Sequence, residues 1–131
     1  MAKVSYEEQI MKIKYMTFTR SEDWEQALQN NQDRPLLLLK HSTACPISSH
    51  AFGEFVVYTQ RPKPLVDFAL VRVIESRGIS NQIETDLVLE HQSPQIILIK
   101  QRKVFWHATH WQVTYERIVQ QVNQLIHHNS F

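Results

Sequence analysis

"PLLLLKHSTACPISSHAFGEFVVYT", residues 35–59, decides how the rest of the chain is read. Its opening run, 35–40, is too short for a buried helix and has no polar face, so it reads as a strand covered on both sides. Beyond Cys45, the apolar positions Ile47, Ala51, Phe55 and Tyr58 recur at spacings of four, four and three, which predicts a helix over about 46–59. Pro46 suits the first helical position, having no N–H and a φ already near the helical value. Gly53 inside that helix costs roughly 1 kcal/mol relative to alanine. Cys45 therefore falls at the N-cap, in the turn between a buried strand and the helix after it. In open α/β sheets this carboxyl edge of the strands is where sites are built.

The pattern continues in both directions. Upstream, 14–18 ("KYMTF") reads as a short strand. "SEDWEQALQ" reads as a helix with Ser21 as N-cap, acidic residues in its first turn, and Trp24, Ala27 and Leu28 on one face. Downstream, "DFALVRVIE" (67–75) is a second buried strand, and "SNQIETDLVL" (80–89) a short helix capped by Ser80 or Asn81. "QIILIK" (95–100) and "KVFWHA" (103–108) make an antiparallel hairpin around Gln101 and Arg102. Tyr115, Ile118, Val119, Val122, Leu125 and Ile126 mark the face of a last helix. Breaks fall at 30–35, 59–64 and 90–94, where Pro, Asn, Asp and Ser do the turning. The order β-α-β-α-β-α-β-β-α implies a single α/β domain over 1–131, with a mixed sheet between helices. Two crossover helices make the first three strands parallel, and the hairpin supplies the antiparallel edge. Residues 1–13 are expected to form a short helix or an N-terminal arm.

Composition narrows the function. The chain has 131 residues, 43% apolar and 21% charged, enough for one hydrophobic core. A net charge of +1 gives no electrostatic reason to expect nucleic acid or an anionic membrane as partner. No apolar run approaches a membrane span, and the first sixteen residues mix charges where a signal peptide needs an unbroken apolar core, so a cytoplasmic location is expected. The chain has one cysteine, which excludes an internal disulfide, a CxxC pair and multi-cysteine metal sites. Any redox cycle must use a sulfur from outside the chain.

A cysteine at a helix N-cap is chemically distinctive. Thiols at such positions can ionise at roughly 3.5–7.5, against ~8.5 for a free thiol, and the thiolate is the nucleophile. Ser48, one turn on, is placed to donate its hydroxyl proton to the sulfur. It stands where a resolving cysteine stands in a CxxC pair, but cannot form a disulfide. Unreactive buried cysteines are common. Here, however, the neighbours are His41, Ser42, Thr43, Ser48, Ser49 and His50 rather than core residues. His41 and His50 are candidates to act on the thiolate as a base or a positive neighbour.

Cys45 in this setting, with Ser93-Pro94 before the fourth strand, resembles the thioredoxin fold. The fuller resemblance is to the monothiol bacilliredoxins, whose motif is Thr-Cys-Pro-Ile-Ser. This chain reads Ala44-Cys45-Pro46-Ile47-Ser48, with its threonine one place earlier at Thr43. "LLLLKHST" (36–43), "VRVIESRGIS" (71–80), "SPQIILIK" (93–100) and "VFWHATHW" (104–111) resemble the same family, so the likeness spans about 15–126. It implies a thiol–disulfide oxidoreductase acting on proteins capped with bacillithiol, a low-molecular-weight thiol. Cys45 would take the cap, and free bacillithiol, a co-substrate rather than a bound cofactor, would resolve it. By the same resemblance Pro94 is cis and faces the cysteine. Ser93 would pair through its backbone with the client or the cap, and Thr43, Ala44 and Ile47 would border the substrate. The competing functions are a redox-inactive thioredoxin-like adaptor that binds peptides, and a peroxide-reducing thiol enzyme.

Other residues read as structural. The seven histidines lack the spacing of a metal site, and no metal is expected. His107 and His110 read as loop histidines, and His127 and His128 as a favourable helix C-terminus. Trp106 and Trp111 read as core beside the hairpin, with the lining of a client groove as the alternative. Arg72 within its apolar strand reads as half of a buried ion pair with Glu75 or Asp67.

Overall fold

The computed structural model describes residues 13–128. All but the last residue of the expected N-terminal arm lies outside them. Five strands form one sheet in the order β1-β3-β2-β4-β5: β1 (Met16–Thr17), β2 (Leu36–His41), β3 (Asp67–Arg72), β4 (Gln95–Lys100) and β5 (Lys103–Thr109). β3 runs parallel to both β1 and β2. β4 lies antiparallel to β2, and β5 antiparallel to β4, so the mixed α/β sheet expected from the sequence is the one formed. The helices among the described residues are α1 (Ser21–Asn30), α2 (Pro46–Thr59), α3 (Arg77–Leu87) and α4 (Tyr115–His128). A single 3₁₀ turn, His110–Gln112, joins β5 to the approach of α4. No helix among the described residues is long and apolar enough to cross a membrane.

The alternation of side chains along a strand divides the core in two. Leu37 and Leu39 of β2, Ile96 and Leu98 of β4, and Phe68 and Leu70 of β3 pack beneath α2 and α4. Leu36, Leu38, Ile97, Ile99, Ala69 and Val71 pack beneath α1 and α3, around Trp24, Ile79 and Ile83. All six residues of β2 are buried, as a central strand covered on both faces requires.

Four expectations are corrected. Ser21 is the first helical residue rather than the cap. Asp23 reaches back to accept the N–H groups of Thr19 and Arg20, and the Ser21 hydroxyl bonds Gln82 of α3 at 2.8 Å. α3 starts after Ser76, three residues before the expected segment at Ser80, because its apolar anchor Ile79 lies ahead of Ser80. β3 stops at Arg72, where the chain turns and the Ser76 N–H meets the Arg72 carbonyl at 2.8 Å. Arg72 itself is exposed at the strand end, and Asp67 pairs instead with Arg34 at 2.9 Å, both side chains 46% exposed. Among the described residues no buried ion pair forms there.

Candidate functional site

The carboxyl end of β2 carries the chain into residues 42–45 and then into α2. Cys45 caps α2 with extended backbone (φ −119°, ψ 123°), and Pro46 takes the first helical position, as the sequence predicts. The first intrahelical bond runs from the Ser49 N–H to the Cys45 carbonyl, at 3.1 Å. Pro46 has no N–H, and those of Ile47 and Ser48 precede that bond, so they have no acceptor within the helix. The Cys45 side chain is half-buried and makes no hydrogen bond that caps the helix. Between His41 and Gly53 the sequence holds no carboxylate, so nothing anionic from this stretch competes with a thiolate.

Ser48 does different work from that expected. It is fully buried, and its Oγ accepts the Ser42 N–H at 2.8 Å and lies 2.7 Å from His41 Nδ1. A bond from Ser48 to the sulfur is not among the hydrogen bonds of the site. Instead, the hydroxyl fastens the end of β2 and the Cys45 loop to the first turn of α2. The His41 ring, buried on the other side, stacks on Phe52 at 4.8 Å with planes 15° apart. Burial, then the charge of Arg72, holds its pKa below the usual imidazole value, so His41 stays neutral near pH 7. His50 is exposed and turns to Trp111, ring centroids 5.2 Å apart. Neither histidine is hydrogen-bonded to Cys45. Thr43, Ala44 and Pro46 are exposed and Ile47 is half-buried, so the residues around the sulfur form an accessible border.

The Ser93–Pro94 peptide bond is cis. Lys40 pairs with Gln95 across β2 and β4, and Gln95 pairs with Thr109 across β4 and β5. Pro94 is therefore brought beside the end of β2, where the Cys45 loop departs. Its carbonyl accepts the His110 N–H at 3.1 Å, which ties the 3₁₀ turn to the same edge. The Ser93 Oγ is buried there without a hydrogen-bond partner among the described residues. Trp111, on that turn, is 61% exposed rather than core, whereas Trp106 packs against the α2/α4 side of the sheet.

Sequence reasoning missed Lys40 and His91. Lys40 extends the leucine run and is as inaccessible as the leucines. Its Nζ donates to the Ser80 carbonyl at 3.1 Å and lies 3.2 Å from His91 Nδ1. The only trace in the sequence is a lysine in phase with Leu36 and Leu38. Among the described residues no cluster of three or more His, Cys, Asp or Glu side chains is arranged to hold a metal ion. A concavity of about 620 Å³ lined by Met16, Asp23, Arg34 and Asp67 opens at the opposite ends of the strands, and Cys45 does not border it.

A family model described as "Monothiol bacilliredoxin BrxC" matches residues 16–118. Among solved structures, a protein of thioredoxin fold provisionally assigned as an oxidoreductase superposes with a TM-score of 0.73 at 23% identity, over 82% of this chain and 93% of that one. Thioredoxin of Malassezia sympodialis gives 0.68 at 14% identity, over 84% and 89%. Thioredoxin of Fasciola hepatica gives 0.68 at 14%, over 83% and 97%. At these identities the structural likeness shows the fold: the sheet and its helices are thioredoxin-like.

Proposed function

The chain belongs to the monothiol bacilliredoxin family, a thiol-redox family, and from that premise we propose that it removes bacillithiol from mixed disulfides on protein cysteines. The observation that carries this reading is the position of the only sulfur-bearing nucleophile, at the N-cap of α2 beside two backbone N–H groups without helical partners. In the first step the Cys45 thiolate attacks the bacillithiol sulfur of the client's mixed disulfide. The client sulfur leaves as a thiolate, and the cap is now disulfide-bonded to Cys45. In the second step the thiolate of a free bacillithiol attacks the cap's sulfur, releasing Cys45 as thiolate and forming the symmetric bacillithiol disulfide. The client sulfur has been reduced and the incoming bacillithiol oxidised, while the cap's sulfur stays at the disulfide level throughout. No second cysteine is required, and Ser48 cannot divert the intermediate into an internal disulfide.

A protein client fits the open character of the site. Thr43, Ala44 and Pro46 border the sulfur from one side, Ile47 adds partial apolar surface, and the cis Ser93–Pro94 segment offers backbone to an extended chain. The exposed Trp111 gives that client an apolar surface on the turn bonded to Pro94. A cytoplasmic setting, where small thiols keep protein thiols reduced, suits this chemistry.

The test is intact-mass spectrometry of a bacillithiol-capped client mixed with stoichiometric protein. The expected result is transfer of the cap's mass to Cys45, release of the client thiol, and recovery of Cys45 when bacillithiol is added. Cys45→Ser should leave the client capped. If the cap remains on the client with the cysteine present, the enzyme reading fails and a peptide-binding adaptor takes its place. Rapid conversion of Cys45 to sulfenic acid by peroxide, without cap transfer, would favour a peroxide-reducing enzyme.

A further inference from the structure

A buried polar cluster lies under the segment that ends in Ser93–Pro94. Lys40 and Gln95 stand opposite each other in the β2–β4 ladder, so their side chains share the sheet face covered by α1 and α3. Both are essentially without solvent, at 0% and 1% exposure. Lys40 Nζ bonds the Ser80 carbonyl and His91 Nδ1, and the Ser80 hydroxyl also reaches His91 Nδ1, at 3.2 Å. The His91 backbone N–H donates to the Glu84 carboxylate. Gln95 adds two further ties: its Nε2 donates to the Glu90 carbonyl at 3.2 Å, and its Oε1 accepts the Gln92 N–H at 3.4 Å. Residues 90, 91 and 92 are thus each fixed to the framework just before the cis peptide.

The chemistry of the cluster is directional. An ammonium only donates, so His91 Nδ1 accepts and the imidazole proton sits on Nε2. Burial, then the charge of Lys40, lowers the His91 pKa, in keeping with a neutral ring. A buried cation is costly, and an apolar side chain at residue 40 would fill the space at lower electrostatic cost. What the amine adds is a pair of bonds joining β2, α3 and the loop before Pro94.

We infer that Lys40 and His91 are positioning residues for the proposed thiol exchange, holding the Glu90–Pro94 segment in the register that a client chain or cap must meet. Neither side chain bonds Cys45, so both act through the Ser93–Pro94 backbone. The inference rests on the proposed function for its catalytic consequence, but the fastening itself can be measured without it.

The experiment compares wild type, Lys40→Met and His91→Ala by three readouts: amide hydrogen exchange, alkylation of Cys45 by iodoacetamide, and cap transfer from a bacillithiol-capped peptide. Loss of the fastening should speed exchange at the His91, Gln92 and Ser93 amides by about tenfold or more, leaving the amides of β2 unchanged. Cap transfer should slow by about tenfold, since misplacing a substrate-holding segment is costly. Alkylation, which needs no platform, should stay within about twofold. Unchanged amide exchange in both variants overturns the fastening. Faster amide exchange with undiminished cap transfer overturns the positioning role. A wild type that transfers no cap removes the proposed function and the positioning role with it, and the amide exchange still decides the fastening. Should Lys40→Met not fold, His91→Ala, on a partly exposed loop, carries the test.

Discussion

Ser48 shows how much one hydroxyl can fix. It is fully buried and engages both the Ser42 N–H and the His41 imidazole. Ser48→Ala leaves both groups without that partner, and an unpaired buried polar group costs about 1–3 kcal/mol. Urea unfolding should therefore show a lower midpoint with an unchanged slope; an unaltered midpoint would mean that the loop finds other partners. The same substitution frees the Cys45 loop from the first turn of α2, so the proposed cap transfer should slow even where the protein remains folded. The residue types here are legible in the sequence, and Cys45 and Pro46 stand where it predicts them. The partner of Ser48 was not legible, because a hydroxyl can satisfy itself with any neighbour, and the neighbour is set by where β2 ends.

Among the elements, α2 and β2 allow opposite tests. Gly53 lies inside α2, and a Cβ there would meet nothing within 4 Å. Gly53→Ala should raise stability by roughly 0.5–1 kcal/mol, through the entropy of the unfolded chain, seen as a higher melting temperature. β2 carries the buried Lys40, whose pKa burial lowers from 10.5 to about 8. Below pH 8 both folded and unfolded chains hold that proton, and the folded state bears the full cost of the buried cation. Between about 8 and 10.5 the unfolded chain still holds it and the folded chain does not, so stability rises with pH. Unfolding titrations in urea across this range should show the rise in wild type and a flatter profile in Lys40→Met. Identical profiles would show that Lys40 does not titrate in this way.

For the whole molecule, β2 is the wall between two cores. Leu38 faces α1 and α3, while Leu39 faces α2 and α4, and both are fully buried. Leu38→Ala and Leu39→Ala should each cost about 2–5 kcal/mol in chemical denaturation. The half-exposed Arg34–Asp67 pair, by contrast, should contribute no more than about 1 kcal/mol. A small loss at either leucine would mean that the layer above it can collapse into the space.

The amino-acid sequence by itself determined the order of elements, the buried central strand, the cysteine at the cap of α2 and the family motif around it. These are local: they follow from the spacing of apolar residues, a proline at the first helical position and contiguous residues of a motif. Only the tertiary structure decided where α3 begins, that Arg72 is solvated, that Trp111 is exposed beside Pro94, and that Lys40 is buried against Ser80 and His91. Each of these depends on which surfaces meet after the strands have paired. A polar side chain takes its partner from residues that are neighbours only in the folded chain, and periodicity along the sequence carries no record of them.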